Sequence, residues 1–162
     1  IMKKSTTTTK TTTKNEYTNP WLFDGEVFTT DDIDKFQGFV YIIINKVNDR
    51  RYIGRKYFYN VRKVKNKRNR KRKESDWKEY YGSSDELLED VTIHGNDSFE
   101  RHILSLHTTR GDTNIEEAKQ QFQHNVLEDA RYYNGNINGK WQRRPEHIIE
   151  SRKMSKERFL LS

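Results

Sequence analysis

Cysteine and long apolar runs are both missing from this sequence. The 162 residues include no cysteine, which excludes disulfide frameworks, thiolate zinc sites and cysteine nucleophiles. No apolar run approaches the roughly 18 residues that a membrane-spanning helix needs. The first residues are rich in Thr and Lys and contain no hydrophobic signal core. These absences predict a soluble, cytoplasmic protein with no membrane partner.

Acidic residues are absent from one long segment of the chain. Residues 50–73 contain 13 Lys and Arg and no Asp or Glu, whereas the whole chain has a net charge of +7. The rest of the chain is therefore mildly acidic. A concentrated basic patch of this kind is typical of a protein that binds a polyanion, usually a nucleic acid. The alternative is a solvated basic loop with no ligand, but Tyr57, Phe58 and Tyr59 interleave the charges and favour binding.

The composition allows one domain with a small core. Hydrophobic residues make up 31% of the chain and charged residues 34%. Residues 1–18 have low complexity and predict a disordered Thr/Lys-rich tail. Residues 19–37 are predicted to be an extension that packs on the domain. Residues 38–137 form the domain itself, and residues 138–162 a polar C-terminal tail.

The pattern of the domain predicts an α+β fold. A strand at 38–45 and a return strand at 51–54 predict a β-hairpin, and the composition of 57–80 favours helix around a basic centre. Ser83 and Glu86 predict a capping box that opens a helix ending before Gly95, and a third strand follows at 98–107. A second capping box, Thr113 with Glu116, predicts a last helix to about residue 130, with Ile115, Ala118, Phe122 and Val126 on its apolar face. The predicted order is ββααβα, with a three-stranded antiparallel sheet flanked by helices.

Two tyrosine motifs lie on the two strands of the predicted hairpin. Tyr41 ends a Val-Tyr pair, and Tyr52 begins the triplet Tyr-Ile-Gly eleven residues later. Arg62 follows ten residues after Tyr52, and the segment "YYGSS" at 80–84 precedes the first helix after it. This order of motifs resembles the GIY-YIG endonuclease family, in particular its compact phage and homing-type members. The resemblance covers about residues 38–137.

The resemblance implies a metal-dependent DNA endonuclease that hydrolyses phosphodiester bonds. Tyr41 would be the general base or would orient the attacking water, Tyr52 would assist at the phosphate, and Arg62 would clamp the phosphate with its planar fork of donors. An unperturbed tyrosine has a pKa near 10, so it is a poor base unless nearby cations favour its phenolate. Arg55 and Lys56 are the nearest cations in sequence besides Arg62.

The family also implies one carboxylate on the helix after the third strand, holding one Mg²⁺ (or Mn²⁺) that keeps most of its waters. Glu116 and Glu117 both occupy that helix. Because Glu116 is the predicted capping partner of Thr113, we favour Glu117 as the metal ligand and leave Glu116 as the alternative. The closing asparagine of the family corresponds to Asn134.

The basic run beside the tyrosines is expected to bind the backbone of double-stranded DNA, which gives affinity without reading sequence. The candidate binding residues are Arg55, Lys56, Lys63, Lys65, Lys67, Arg68, Arg70, Lys71, Arg72, Lys73, Lys78 and Asn134. About 25 residues follow the domain, too few for a separate DNA-reading module, so we expect low sequence specificity. One site cuts one strand, and double-strand cleavage would need a dimer or two visits.

One departure from the family pattern and two rival functions are left as alternatives. Relatives often carry His or Tyr fourteen residues after the second tyrosine, where this chain has Asn66; Lys78 or Tyr81 could supply that contact. The first rival is a non-catalytic nucleic-acid-binding protein that retains the fold. The second is an RNA-binding protein of ribosomal type built around the basic run, which gives no account of the tyrosine hairpin.

Overall fold

The computed structural model describes residues 17–62, 71–146 and 148, with the backbone alone for Arg62 and Lys71. The predicted tail at 1–18 lies almost entirely outside these residues, as does most of the predicted tail at 138–162. The elements in chain order are β1 (Leu22–Phe23), β2 (Glu26–Val27), β3 (Gly38–Asn45), β4 (Arg51–Tyr57), β5 (Tyr59–Arg62), β6 (Lys71–Glu74), α1 (Asp85–His94), β7 (Phe99–His107), α2 (Arg110–Gln123), β8 (Asn136–Ile137) and β9 (Trp141–Gln142). Neither helix of the described part is long and apolar enough to cross a membrane.

The main sheet has five strands in the order β2-β1-β7-β3-β4. The near-continuous apolar sequence of β3 suits its position, because β7 and β4 flank it on both sides and both pair with it antiparallel. β1 adds to β7 in parallel, and β2 pairs antiparallel with β1. The fold is α+β, as predicted, but its sheet is mixed and five-stranded, because residues 19–37 contribute two strands that the sequence analysis left as an extension.

An aromatic core fixes the N-terminal segment to the domain. Trp21 is fully buried, and its indole Nε1 donates to the backbone oxygen of Trp77 at 2.7 Å. The Trp21 ring lies 5.1 Å from Phe39 and 4.9 Å from Tyr41 between ring centroids. Such contacts add to the hydrophobic gain of burial, so the segment before β3 directly supports the tyrosine of that strand.

The basic segment forms a β-hairpin instead of the predicted helix at 57–80. In the described part, β4 extends to Tyr57, β5 and β6 pair antiparallel, and a short 3-10 turn follows at Trp77–Glu79. Like charges three and four residues apart repel each other on a helix. In the hairpin, Tyr59 faces Glu74 and Asn60 faces Lys73. Residues 63–70, which connect the two strands, lie outside the described residues.

Both helices begin at different caps from those predicted. In α1, the side chain of Ser84, not Ser83, accepts the backbone N–H of Leu87 at 3.3 Å. In α2, Thr109 accepts the N–H of Asp112 at 3.1 Å. Thr113 is a buried helical residue whose hydroxyl donates to the oxygen of Thr109. The extended backbone required at an N-cap occurs at Thr109, so the helix starts one turn earlier than the capping-box pattern indicated.

The predicted apolar face of α2 is wrong. Ile115 is 68% exposed and Phe122 is 49% exposed, and the helix ends at Gln123, before Val126. The buried residues of the helix are polar, Thr113 and Gln121. Periodicity of apolar residues predicts the inner face of a helix that covers a hydrophobic sheet. The inner face of α2 instead borders a polar cleft, and this explains why the periodicity indicated the wrong face.

Candidate active site

Tyr41 and Tyr52 lie side by side on the two strands of the β3–β4 hairpin. Tyr41 pairs with Gly54 across the two strands, and Tyr52 pairs with Ile43. The two tyrosine rings are 6.2 Å apart between centroids. A shift in the register between β3 and β7 falls at Val40/Tyr41, and bulges of this kind redirect a side chain near a functional site. Tyr41 is 1% exposed but lines the cleft described below.

Two glycines make room for these rings. A Cβ at Gly54 would lie 2.7 Å from Cζ of Tyr41 and 2.8 Å from Cε1 of Tyr52. Gly82 has a φ of +86°, and a Cβ there would lie 3.0 Å from Cε1 of Tyr52. Gly82 thus meets both conditions that favour glycine, a left-handed backbone and close approach.

Tyr80 and Ser83 are cleft residues that the sequence analysis missed. The Tyr80 ring meets Tyr41 edge-on at 6.1 Å, and the Tyr52 hydroxyl lies 2.9 Å from Oγ of Ser83. Tyr81, which the sequence analysis considered for the contact missing at Asn66, instead packs against Phe99 and accepts a hydrogen bond from Asn19. The backbone is extended at Tyr80, so the two neighbouring tyrosine side chains point to opposite sides.

Glu117 faces the tyrosines from α2. Its side chain is 14% exposed, and its Oε1 lies 3.3 Å from Nε of Arg55 in β4. Burial raises the pKa of Glu117, and the nearby Arg55 partly opposes this shift. Glu116 lies outside the cleft lining and accepts a hydrogen bond from Gln120 at 2.8 Å. Glu117 lies one helical turn from each of the two buried polar residues of α2, so all three share one face.

Asn134 holds the edge of β4. Its side chain accepts the N–H of Ile53 at 3.1 Å and donates to the oxygen of Ile53 at 2.8 Å. Gln121 donates to the same oxygen at 2.9 Å. Asn134 is 2% exposed. Because the oxygen and the nitrogen of its side-chain amide both hydrogen-bond to the backbone of Ile53, Asn134 fixes β4 at the residue that follows Tyr52.

These residues surround one polar cleft of ≈ 450 Å³. Its lining consists of Tyr41, Tyr52, Arg55, Tyr80, Ser83, Ser84, Glu117, Gln121, Tyr133, Asn134, Gly135, Asn136, Asn138 and Gly139. A second cleft of ≈ 180 Å³ is lined by Arg55, Lys56, Tyr57, Asn60 and Tyr80. Arg55 and Tyr80 border both clefts.

The predicted nucleic-acid-binding residues are distributed unevenly around the clefts. The ammonium of Lys56 lies 3.9 Å from the Tyr80 ring centroid, and the Arg72 guanidinium lies 5.9 Å from that of Tyr59. Lys73 is an exposed residue of β6, whereas Lys78 lies over the rings of Tyr17 and Trp77 and borders neither cleft. Of the remaining candidates, Lys63, Lys65, Lys67, Arg68 and Arg70 lie outside the described residues.

Arg62 is the last residue of β5 and pairs with Lys71 in β6. Because only its backbone is described, its predicted contact with the phosphate stays a prediction. The cation that the structure does place inside the main cleft is Arg55.

Burial raises the pKa of Tyr41 well above its ordinary value, and the neighbouring Tyr52, Tyr80 and Glu117 raise it further. The sequence analysis expected nearby cations to favour the phenolate. The direction is the opposite, because burial, the largest cause of the shift in pKa, disfavours the charged phenolate. Burial also raises the pKa of Tyr52.

The donor set of the cleft fits a hydrated magnesium ion better than a fully coordinated metal. Within the described residues, no group of three or more His, Cys, Asp or Glu side chains is placed to hold a metal. Glu117 supplies one carboxylate, with tyrosine and serine hydroxyls nearby. Mg²⁺ is commonly bound through one or two carboxylates while it keeps several waters. Glu117 would hold the ion, provided that Arg55 gives up its contact.

Comparison with known proteins identifies the family of the chain. Residues 21–137 match the family model described as "Putative endonuclease segE, GIY-YIG domain". No curated protein and no solved structure gives a significant match. The match begins at Trp21 and so includes the two N-terminal strands as well as the tyrosine hairpin and the helix that carries Glu117. The chain belongs to the GIY-YIG endonuclease family.

Proposed function

We propose that this chain is a Mg²⁺- or Mn²⁺-dependent endonuclease that hydrolyses phosphodiester bonds of double-stranded DNA. The observation that supports the proposal most strongly is the meeting of Tyr41, Tyr52, Arg55 and Glu117 around a single polar cleft. They come from the consecutive strands β3 and β4 and from α2, which is distant from both strands in sequence. A purely structural role for these residues would not require them to face a common cavity.

Each side chain has a role that its position supports. Tyr41 orients the attacking water and takes up its proton. Tyr52, held by Ser83, contacts a phosphate oxygen, and a cation stabilises the charge that develops on the phosphoryl oxygens. Arg55 and Arg62 are the candidates for that cation. A divalent cation on Glu117 would supply Lewis acidity and lower the pKa of a bound water.

The raised pKa of Tyr41 bears on its role. A phenol that keeps its proton can donate a hydrogen bond to water but cannot act as a base. A divalent cation on Glu117 would offset one of the lesser causes of the raised pKa, whereas burial, the largest cause, would remain. The orienting role of Tyr41 is therefore supported directly by its surroundings, and the base role requires a further lowering of its pKa in the complex with DNA and metal.

The basic hairpin lies next to the cleft and is expected to hold the DNA backbone. Tyr57 ends β4 at the second cleft, and β5 begins two residues later. Contacts of Lys and Arg with phosphates are independent of base identity, which supports low sequence specificity.

Cleavage of supercoiled plasmid tests the proposal. With Mg²⁺ we expect nicked or linear DNA, and with EDTA no conversion. Glu117→Gln should lower the cleavage rate by at least about 100-fold, the usual scale for the loss of one electrostatic stabiliser. Glu116→Gln is the matched control on the same helix and should keep the activity. Tight, salt-sensitive binding without any cleavage would refute the proposal in favour of the non-catalytic binding protein.

A further inference from the structure

The ion pair between Arg55 and Glu117 forms part of the lining of the main cleft. Nε of Arg55 lies 3.3 Å from Oε1 of Glu117. The Glu117 side chain is 14% exposed, whereas the Arg55 side chain is 37% exposed. The pair thus joins a largely buried anion, fixed on a helix, to a cation that keeps contact with solvent.

The pair between Arg55 and Glu117 is a contact between charges without a hydrogen bond. Nε of Arg55 is buried and makes no hydrogen bond of acceptable geometry within the described residues. The contact with Glu117 therefore depends on charge attraction and lacks the bidentate hydrogen bonds that make Arg–carboxylate pairs strong. A contact of this kind is more easily exchanged than a bidentate one.

Arg55 borders both the main cleft and the smaller one, which Lys56 and Asn60 also line. Its guanidinium lies 5.2 Å from the Tyr57 ring centroid, and Arg110 covers the same ring at 4.1 Å. Two cations and an amide line this cleft and Arg110 lies beside it, so the site favours an anion such as a phosphate group, although Lys56 already pairs with Asp76 at 2.6 Å.

We infer that Arg55 is an exchangeable counter-ion of Glu117: it neutralises the carboxylate in the resting protein and moves to a DNA phosphate when the carboxylate takes up a divalent cation. The inference rests on the proposed function and deepens it. A divalent cation and a guanidinium repel each other strongly when both approach one buried carboxylate. A phosphate supplies the anion that Arg55 then needs, because an unpaired charge in a partly buried site is costly.

The exchange couples metal binding to DNA binding. Without DNA, an ion must displace Arg55 from Glu117 and leave it without a partner. With DNA bound, Arg55 already contacts a phosphate, and Glu117 is free for the ion. By linkage, the ion must then raise the affinity for DNA by the same factor as DNA raises the affinity for the ion.

The first test is the affinity of the free protein for Mn²⁺, measured by titration with detection of free Mn²⁺ by electron paramagnetic resonance. Arg55→Met should bind Mn²⁺ about tenfold more tightly than the wild type, a typical coupling factor. Arg110→Met is the matched control, because it removes the same charge beside the same Tyr57 ring but leaves Glu117 paired. Equal Mn²⁺ affinities in the two variants would overturn the exchange.

The second test repeats the titration with a short duplex, in a Tyr41→Phe background that is expected not to cleave. The duplex should raise the Mn²⁺ affinity of the protein that retains Arg55 about tenfold more than that of the protein carrying Arg55→Met. An equal increase in both would also overturn the exchange. Glu117→Gln separates this failure from that of the proposed function: if this variant binds Mn²⁺ as well as the wild type, the assignment of the metal ligand itself is wrong.

Discussion

At the scale of single residues, the site depends on glycines, which leave space for neighbouring rings, as well as on the side chains that line the cleft. Gly54 pairs with Tyr41 and leaves space that both tyrosine rings fill. Glycine in a strand usually weakens it and often marks close approach of another group. In this hairpin the approaching groups are the two rings proposed to carry the chemistry, so the third residue of the Tyr-Ile-Gly motif has a packing reason.

Replacing Gly54 with alanine tests this packing. The added Cβ would overlap two rings that border the core, so we expect a loss of about 1–3 kcal/mol in the free energy of unfolding and a marked loss of cleavage. Urea denaturation and plasmid nicking measure the two effects. Gly111→Ala is the control, because a Cβ there meets nothing within 4 Å, and alanine in a helix is favoured by roughly 0.5–1 kcal/mol. Equal stability of the two variants would contradict the packing argument.

Glu117 is expected to reduce stability while it serves the proposed reaction. Burial raises the pKa of Glu117, so the folded protein holds this proton more tightly than the unfolded chain does. At neutral pH, ionising the carboxylate in the fold therefore costs stability. The same group would be the metal ligand, which is the usual form of a trade-off between stability and activity.

Glu117→Gln should therefore lose cleavage and gain stability. In metal-free buffer we expect the free energy of unfolding to rise by about 0.5–1 kcal/mol, because the neutral amide removes the cost of ionising a largely buried carboxylate. Thermal and urea unfolding in EDTA provide the measurement. Glu116→Gln should change neither property. A clear loss of stability in Glu117→Gln would show that the pair with Arg55 outweighs the cost of burial.

At the scale of elements, β3 and α2 meet through a close contact that sequence periodicity does not reveal. A Cβ at Gly38 would lie 2.8 Å from Oγ1 of Thr113, so α2 approaches the start of β3 directly. This contact places the polar face of α2, with Glu117 and Gln121, over the hairpin. The apolar pattern of the helix predicted another face, because it assumes a hydrophobic surface underneath.

The strands β3, β4 and β7, with α1 and the tyrosine hairpin, could be predicted from the sequence because their signals are local. β3 is an eight-residue apolar strand, and Gly95 ends α1 as expected. The pairing of β1 with β7 could not be predicted, since it joins residues about 80 positions apart through strands of two residues. Tyr80 was not recognised as a cleft residue, and Arg55 was expected to bind the DNA backbone and not to pair with Glu117, because their neighbours in space come from other elements.

The β5–β6 hairpin is expected to contact the backbone of bound DNA. Arg110 donates to the backbone oxygen of Tyr59 at 2.8 Å and so ties the hairpin to α2 beside the cleft. Arg72→Gln and Lys73→Gln should each lower the slope of log affinity against log salt by about one without changing the cleavage pattern. Filter binding to a duplex at several salt concentrations gives the slope.

Lys46→Gln is the control for the hairpin variants. Lys46 is an exposed lysine directly after β3, at the end of that strand opposite to the end where β5 begins. The variant should leave the salt slope unchanged, because Lys46 lies outside the β5–β6 hairpin and outside the lining of both clefts. A reduction as large as that of Arg72→Gln would place the DNA on another surface.

At the scale of the whole molecule, the described part of the chain holds four tyrosines whose pKa is raised. Burial is the first cause of this shift at Tyr17, where the pKa rises to about 12, and at Tyr41, Tyr52 and Tyr133. A buried neutral phenol keeps its proton in the fold and releases it in the unfolded chain near pH 10. The stability of the whole fold is therefore linked to alkaline pH through these residues.

Stability should decrease steeply above about pH 10. In this range the unfolded chain binds fewer protons than the folded one, so the free energy of unfolding falls as pH rises, by up to about 1.4 kcal/mol per pH unit for each such tyrosine. Urea unfolding in EDTA between pH 8 and pH 11 measures the slope, and the variant Tyr17→Phe isolates one contribution. In the wild type, the Tyr17 hydroxyl donates to the backbone oxygen of Phe28, so Tyr17→Phe should be less stable at pH 8. At higher pH the free energy of unfolding of the variant should fall less steeply and approach that of the wild type. Parallel curves would contradict the linkage, because a group that does not titrate differently in the two states lowers stability equally at every pH.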